Sequence, residues 1–507
     1  MFQKNWVIIF ALFLSVFIFL GVTGTLTSGY HFIDDHEIIS ISNNLKSESL
    51  IKVISNYINY DLPSRFRPMY YFHRVIETKI FGTNLFLWSL YTGVLAFITF
   101  SSFYLGLKNL MFSTFEAIVF LIIAFVGPQM AVWWRLGPAE TIGVVFLGFC
   151  FYFMTKCITT KYYTLSSLLF CLFLVLSSLC KESFIIIIPA FITYKIWNEK
   201  STFISLKKTL IKNFILIVPI VLMFLELLII KSYIGTNKIG YAGLDSNLIE
   251  TMKGITHVIN SLFEYFSPFL LFVIITMGLI YYKLRDRDKF IRVSISLMLP
   301  LVFCFLIVFP NTILYAKSGM FERYLLPSTI GVSFFIVSLI RSIDNRFKWL
   351  KRLLLVVIII VSLNPIRYSL REAYSFSDIG HDTNLLLSSI IKYSNGEDKG
   401  ILLAVDPVVS YECTLSLNEY LGYKNITNLY GLALNDKYAD DFSQRLSSDW
   451  HLWFKGKEMK DMNDKPYMIV FLDKNLSNDY FKNPKNGSAD YQNVIPYSST
   501  FALYIQK

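Results

Sequence analysis

Apolar windows long enough to cross a bilayer recur from the N-terminus to about residue 366. A hydrocarbon layer of roughly 30 Å takes about 20 helical residues, and eleven windows of about that kind, some shorter, can be drawn. They cover residues 6–22, 84–106, 114–134, 138–155, 162–179, 183–197, 214–232, 266–282, 293–310, 324–340 and 353–366. A mean hydropathy of +0.51 and an aromatic content of 17% are too apolar for an ordinary soluble domain of 507 residues. The chain reads as an all-α polytopic membrane protein.

Charge orients the windows. Before the first one only Lys4 is charged, and no small-residue cleavage site follows, which points to an uncleaved anchor. The connections "KIWNEKSTFISLKKTLIKN", "KLRDRDKFIR" and "RSIDNRFKWLKR" each carry five basic residues and read as cytoplasmic. Alternation then puts segments 23–83, 231–265, 311–323 and the tail from 367 on the far side, with the N-terminus cytoplasmic. For a bacterial inner membrane that side is the periplasm.

The formal charge of +11 is no nucleic-acid signature. From Arg367 onward there are 15 basic and 18 acidic residues, so the excess lies in the membrane part and is mostly positive-inside bias. Five of the six cysteines lie in or beside apolar windows and only Cys413 is in the tail, so no disulfide framework is implied.

Two regions lie outside the apolar windows. Segment 23–83 is too long for a simple connection and is expected to hold two juxtamembrane helices, "NNLKSESLIKVISNYINY" and "MYYFHRVIETKIFG", separated by "DLPSRFRP". From 367 to 507 the composition turns polar. Strand-like "GILLAV", "YMIVFLD" and "TFALYIQ" alternate with helix-like "DTNLLLSSIIKYS" and "ADDFSQRLSSDW", which predicts a small C-terminal α/β domain after a membrane domain covering 1–366.

Ionisable residues at the edge of a span cost on the order of 3 kcal/mol on insertion scales, so each is a candidate functional group. Here they gather on the external ends: Asp34, Asp35 and Glu37; Arg65 and Arg67; Arg135 and Glu140; Lys181 and Glu182; Glu322 and Arg323. Such a mixture suits a lipid-borne phosphate held by Arg and Lys next to a carboxylate able to take a proton from a hydroxyl. Sugar transfer from a polyprenyl phosphate needs both, because the phosphate leaves with negative charge while the acceptor hydroxyl loses a proton. In the Asp34/Asp35 pair, like charge and apolar packing raise the pKa of one member.

Each position also has a structural reading. An Asp here can cap a helix, Arg65 and Arg67 can anchor to headgroups, Lys181 can pair with Glu182 and Glu140 with Arg135, and Glu322–Arg323 can be an interfacial anchor. A divalent metal on His31, Asp35 and His36 is the minority alternative, since their spacing matches no established ligand motif. No other cofactor is implied.

The order "DDHEI", "RFRPMYYF", "GPQMAVWWRLGPAE", "CKESF" resembles the GT-C superfamily of integral-membrane glycosyltransferases, which use polyprenyl-phosphate sugars. The resemblance implies a catalytic acid at Asp34 or Asp35, a second acidic position at Glu140, and Arg67 and Lys181 near the lipid phosphate. Length and topology are similar to bacterial enzymes that glucosylate O-antigen in lipopolysaccharide from undecaprenyl-phosphate glucose. Expected partners are therefore a lipid-linked sugar donor, a glycan acceptor and the bilayer. The rival readings are a lipid-linked glycan transporter or flippase, expected to place charge near the bilayer midplane within inverted repeats, and an O-antigen polymerase or ligase.

Overall fold

The computed structural model describes the chain except residues 1, 64, 160–162, 201–212, 235–251, 317–319, 321, 344–347, 395–398, 407–409 and 435–456, most of 261–286, and residues 460, 461, 463, 484, 485 and 487. Among the described residues, seven helices are long and apolar enough to cross a membrane. They are Asn5–Val22, Leu85–Asn109, Ala139–Cys157, Phe214–Ser232, Val293–Leu314, Glu322–Ser342 and a stretch of Lys351–Ser394. The protein is a multi-pass, mostly helical membrane protein.

The expectation of eleven spans is not reproduced among these residues, and the differences have local causes. Window 114–134 yields only the short α6 (Thr114–Phe125), because Gly127 takes φ +134° and Pro128 starts a 3₁₀ segment, Pro128–Trp133. Window 162–179 is the short α8 (Tyr163–Ser178), and window 183–197 breaks into a turn, Glu182–Ile185, followed by α9 (Ile188–Lys200). Window 266–282 lies largely outside the described residues.

The remaining helices frame the site. α1 (Phe2–Val22) leads into the first loop. Where two juxtamembrane helices were expected there are three: α2 (His36–Ser47), α3 (Leu50–Asp61) and α4 (Pro68–Phe81). Glu48 and Ser49 turn extended and split the first expected helix in two. Pro68 starts α4 at the position where a missing N–H costs nothing. α5 (Leu85–Asn109), α6, α7 (Ala139–Thr159), α8, α10 (Ile217–Ile229), α11 (Arg287–Leu314) and α12 (Leu326–Ser342) form the membrane body. Their shared core is rich in aromatic rings, such as Phe103 stacked on Phe151 with centroids 5.3 Å apart.

α13 (Lys348–Ser394) links this body to the tail. The apolar window expected to end at 366 continues as one helix through Pro365, 47 residues in all. At 1.5 Å per residue that is about 70 Å, so its C-terminal half extends well beyond a bilayer. There it joins a six-stranded sheet in the order β3-β2-β1-β4-β6-β5. The strands are β1 (Ile401–Val405), β2 (Leu429–Ala433), β3 (Lys457–Glu458), β4 (Met468–Phe471), β5 (Tyr491–Asn493) and β6 (Ala502–Gln506). The first four are parallel, while β6 runs antiparallel to both β4 and β5.

The central strands are buried at every position, so both faces are covered. α15 (Lys474–Phe481) supplies Tyr480 to one face. The other is filled by α13, by α14 (Tyr411–Tyr423) and by Tyr30, Phe32 and Ile39 of the first loop. The three expected strands are present, and the expected helix "ADDFSQRLSSDW" lies outside the described residues. The loop's insertion into the tail's core is what holds the acidic motif: Asn384 donates to the Ser28 carbonyl at 2.9 Å and Ser40 to Glu419 at 2.6 Å.

Candidate active site

Asp34 and Asp35 are adjacent in sequence but part company in space. Asp35 is fully buried at the N-cap position of α2, and its side chain makes no cap bond there. Its Oδ2 accepts from the His31 amide at 2.5 Å, while Oδ1 is buried with no hydrogen-bond partner. Burial pushes its carboxyl up to about 7, against the pull of the His31 amide and Arg74. Asp34 faces the opposite way with its side chain 28% exposed, 2.7 Å from Arg323 Nη1. Desolvation would raise it, but the Arg323 guanidinium outweighs that and holds the carboxyl well below the usual range.

From Asp34 a chain of alternating charge runs inward. Arg323 Nε lies 3.8 Å from Glu140 Oε1, and the same oxygen accepts a short hydrogen bond from Lys181 Nζ. Glu140 and Lys181 are buried, and Lys181 Nζ also lies 4.4 Å from the centre of the Tyr324 ring. Alongside, Arg135 pairs with Glu322 at 2.9 Å. Glu140 stands in the first turn of α7, and Lys181 precedes the turn after α8. Arg323 and Glu322 lie in the 3₁₀ turn Glu322–Leu325 before α12. Four distant stretches of sequence thus meet at one place.

The backbone is strained where the chain begins. Asp34 has φ +62° and Glu322 φ +46°, the left-handed region that non-glycine residues rarely enter. Such outliers cost about 1–3 kcal/mol and persist where surrounding structure dictates them, often at functional sites.

A second cluster lies beside the first. Glu37 accepts hydrogen bonds from Tyr70 at 2.6 Å and Tyr71 at 3.2 Å, and its carboxylate is 3.8 Å from Arg74 Nε. Arg74 is almost wholly buried, lies 4.6 Å from the centre of the Trp88 ring, and donates to the Asp34 carbonyl at 3.2 Å, which ties the two clusters together. Gly137 is required here: its φ is +118°, and an added Cβ would stand 2.6 Å from Arg74 Nη2. Arg67 is held by Asp61 through two hydrogen bonds of 2.8 and 2.9 Å. Glu182 accepts from the Phe66 amide at 3.3 Å, and the Arg65 amide donates to the Asp61 carbonyl at 2.7 Å.

The expected residues therefore fall into two groups. Asp34, Glu140, Lys181 and Arg323 are brought together, with Arg135 and Glu322 adjacent, whereas Glu37, Arg67, Glu182 and the Arg65 amide bond to groups of the first loop. The pairings differ from the alternative structural ones, because Lys181 meets Glu140 rather than Glu182, and Arg135 meets Glu322 rather than Glu140. Sequence reasoning passed over Arg74, Tyr70 and Tyr324. Tyr70, Arg74 and Glu77 do share a helical face by spacing, a signal that was available.

It also passed over Glu412 in the first turn of α14. Desolvation raises its carboxyl and Asp34 raises it further, so it stands within electrostatic reach of the site. No metal geometry emerges: among the described residues no three His, Cys, Asp or Glu side chains are placed to hold an ion. His31 bonds Ser28 at 2.9 Å and His36 bonds Ser416 at 3.3 Å, so the two rings engage different partners.

No family model matches the chain, and no curated protein matches its sequence. Among solved structures, ArnT from Cupriavidus metallidurans bound to undecaprenyl phosphate matches with a TM-score of 0.50 at 10% identity, over 99% of this chain and 98% of that one. The apo state of the same protein matches with a TM-score of 0.50 at 11% identity over the same shares. The chain has the ArnT fold. The likeness spans both regions, so the ArnT fold here includes the membrane body and the C-terminal sheet together.

Proposed function

We propose that the protein is a glycosyltransferase that moves a sugar from a polyprenyl-phosphate donor to a hydroxyl of a glycan or lipid-linked glycan acceptor. The observation that carries the reading is the chain Asp34, Arg323, Glu140, Lys181, in which two cations and two carboxylates from four separate stretches converge beside partly exposed Asp34. Its support is chemical. A departing lipid phosphate needs fixed cations, which Arg323 and Lys181 provide, with Arg135 next to them. The attacking hydroxyl needs a base, and Asp34 is the one of the two aspartates that is ionised and reachable.

In this reading Arg323 turns from Asp34 to the donor phosphate. The carboxylate loses its counter-charge, becomes more basic and takes the acceptor proton. The new oxygen–carbon bond forms as the anomeric carbon–phosphate oxygen bond breaks, so the configuration inverts and the lipid phosphate carries away the bonding pair. Glu140 keeps Lys181 and Arg323 oriented, and Asp35 holds the turn that presents Asp34. That ArnT, the protein sharing this fold, was crystallised with undecaprenyl phosphate supports that lipid as carrier. The resemblance in length and topology favours glucose as the sugar and an O-antigen type glycan as acceptor, on the periplasmic side of the inner membrane.

The test is transfer of labelled sugar from lipid-linked donor in membranes carrying Asp34→Asn. A loss of about 10²–10⁴-fold is expected for removal of a general base, with the protein folded and inserted as before. Full activity in D34N would remove the proposed base.

A further inference from the structure

A large cavity of about 910 Å³ lies away from the acidic site, where the opposite ends of the same helices meet. α7 carries Glu140 near its start and Lys156 near its end, sixteen residues apart, or about 24 Å along a helix. Arg323 and Arg341, before and at the end of α12, are eighteen apart, about 27 Å. These separations approach the roughly 30 Å of a hydrocarbon core, so the cavity opens at the other membrane face.

Its charge is one-sided. Lys108, Lys156, Arg341 and Lys351 line it against the single carboxylate of Glu116, among the described residues. Glu116 is already engaged: it accepts from the Ser113 amide at 2.7 Å in a capping box at the start of α6. Two of the cations shape the wall. Lys108 donates to the Phe112 carbonyl at 2.8 Å, and Arg341 donates to the Leu110 carbonyl at 2.5 Å while lying over the Phe112 ring. Lys156 and Lys351 enter from α7 and α13.

A positive-inside bias explains cations at this face, but loops alone satisfy it and it asks for no concave space. The volume is that of a small-ligand pocket. Trp6 and Tyr152 also line it, the ring types that collect at the boundary of lipid and water, beside apolar Ile9 and Leu105.

We propose that this cavity binds the phosphate-bearing headgroup of an anionic membrane lipid. The inference is independent of the transferase reading, because it uses none of the acidic-site residues. A lipid rather than a soluble phosphate fits the cavity's position at the hydrocarbon edge and its mixed cationic and aromatic lining.

Native mass spectrometry of the full-length protein in detergent with added phosphatidylglycerol or phosphatidylcholine tests it. Retention of phosphatidylglycerol at least about tenfold above phosphatidylcholine is expected. The double variant Lys156→Gln, Lys351→Gln should lower that retention about tenfold, whereas K156R with K351R, and K52Q on α3, outside both sites, should retain the lipid as wild type does. Should the double glutamine variant misfold, K351Q alone is expected to lower retention about threefold. Equal retention of both lipids, undiminished binding in the K156Q, K351Q variants, or loss in K52Q would overturn the proposal. Displacement of phosphatidylglycerol by millimolar inorganic phosphate would overturn the lipid assignment and identify a soluble phosphoanion instead.

Discussion

The two charge clusters at the first loop, one within it and one assembled beside it from distant stretches, use the same kinds of residue to different ends. Around Glu37 and Arg67 the partners are close in sequence, residues 37, 61, 67, 70, 71 and 74, and they close on one another. Asp61 and Arg67 form a two-pronged pair with side chains 7% and 11% exposed. Around Asp34 the partners come from residues 34, 140, 181 and 323, the backbone is strained at the entrance, and the outer pair is 28% and 17% exposed. A local pair satisfies itself and fixes a loop. A cluster assembled over long range, with its outermost charges still open to solvent, keeps charge in hand for a ligand.

Substitutions at the two clusters should therefore separate catalysis from stability. Arg323→Gln is expected to lower sugar transfer about 10²–10³-fold, the range found when one donor to a developing oxyanion is removed. The unfolding midpoint should move little, because Lys181 still neutralises Glu140. Transfer kinetics set beside thermal unfolding in detergent measure both, and a large fall in midpoint with unchanged turnover would erase the contrast.

Asp61→Asn should show the reverse. It leaves the Arg67 guanidinium without its counter-charge in a largely buried place, which costs about 3 kcal/mol. Turnover per folded molecule should stay within a few-fold of wild type. A collapse of turnover without loss of stability would move Arg67 from the scaffold into the site.

The smallest effect sharpens the comparison inside the motif itself. Asp35 holds its proton up to about 7 when folded and only to the ordinary carboxylate value when unfolded. The folded state then binds more protons between those values, so this contribution is full below about pH 4 and is lost as pH rises through about 7. Asp35→Asn should remove that decline and change transfer by no more than a few-fold. An unchanged slope in D35N would refute the assignment of the buried proton to this residue.

Much of this was legible beforehand. The helical membrane body and the polar tail with its strands "GILLAV", "YMIVFLD" and "TFALYIQ" follow from hydropathy and alternation. The one-sided placement of charge put Asp34, Glu140, Lys181 and Arg323 on one face together with Glu37, Arg65, Arg67 and Glu182, without telling which of them meet. Helix limits were less legible. Gly127–Pro128, with Gly127 at φ +134°, ends α6 within a continuous apolar run, whereas α13 continues through Pro365, and the apolar pattern does not distinguish the two prolines.

The sequence by itself determined which groups had to find shelter: greasy windows that demand a bilayer, and charges at their edges that demand partners. Which carboxylate met which cation was decided only by tertiary structure. Asp34 and Asp35 carry identical chemistry one residue apart, yet a left-handed turn clamped between the membrane body and the C-terminal sheet sends one to Arg323 and buries the other. Local pattern sets the supply of charge, while the dielectric and the partner each charge meets depend on residues hundreds of positions away.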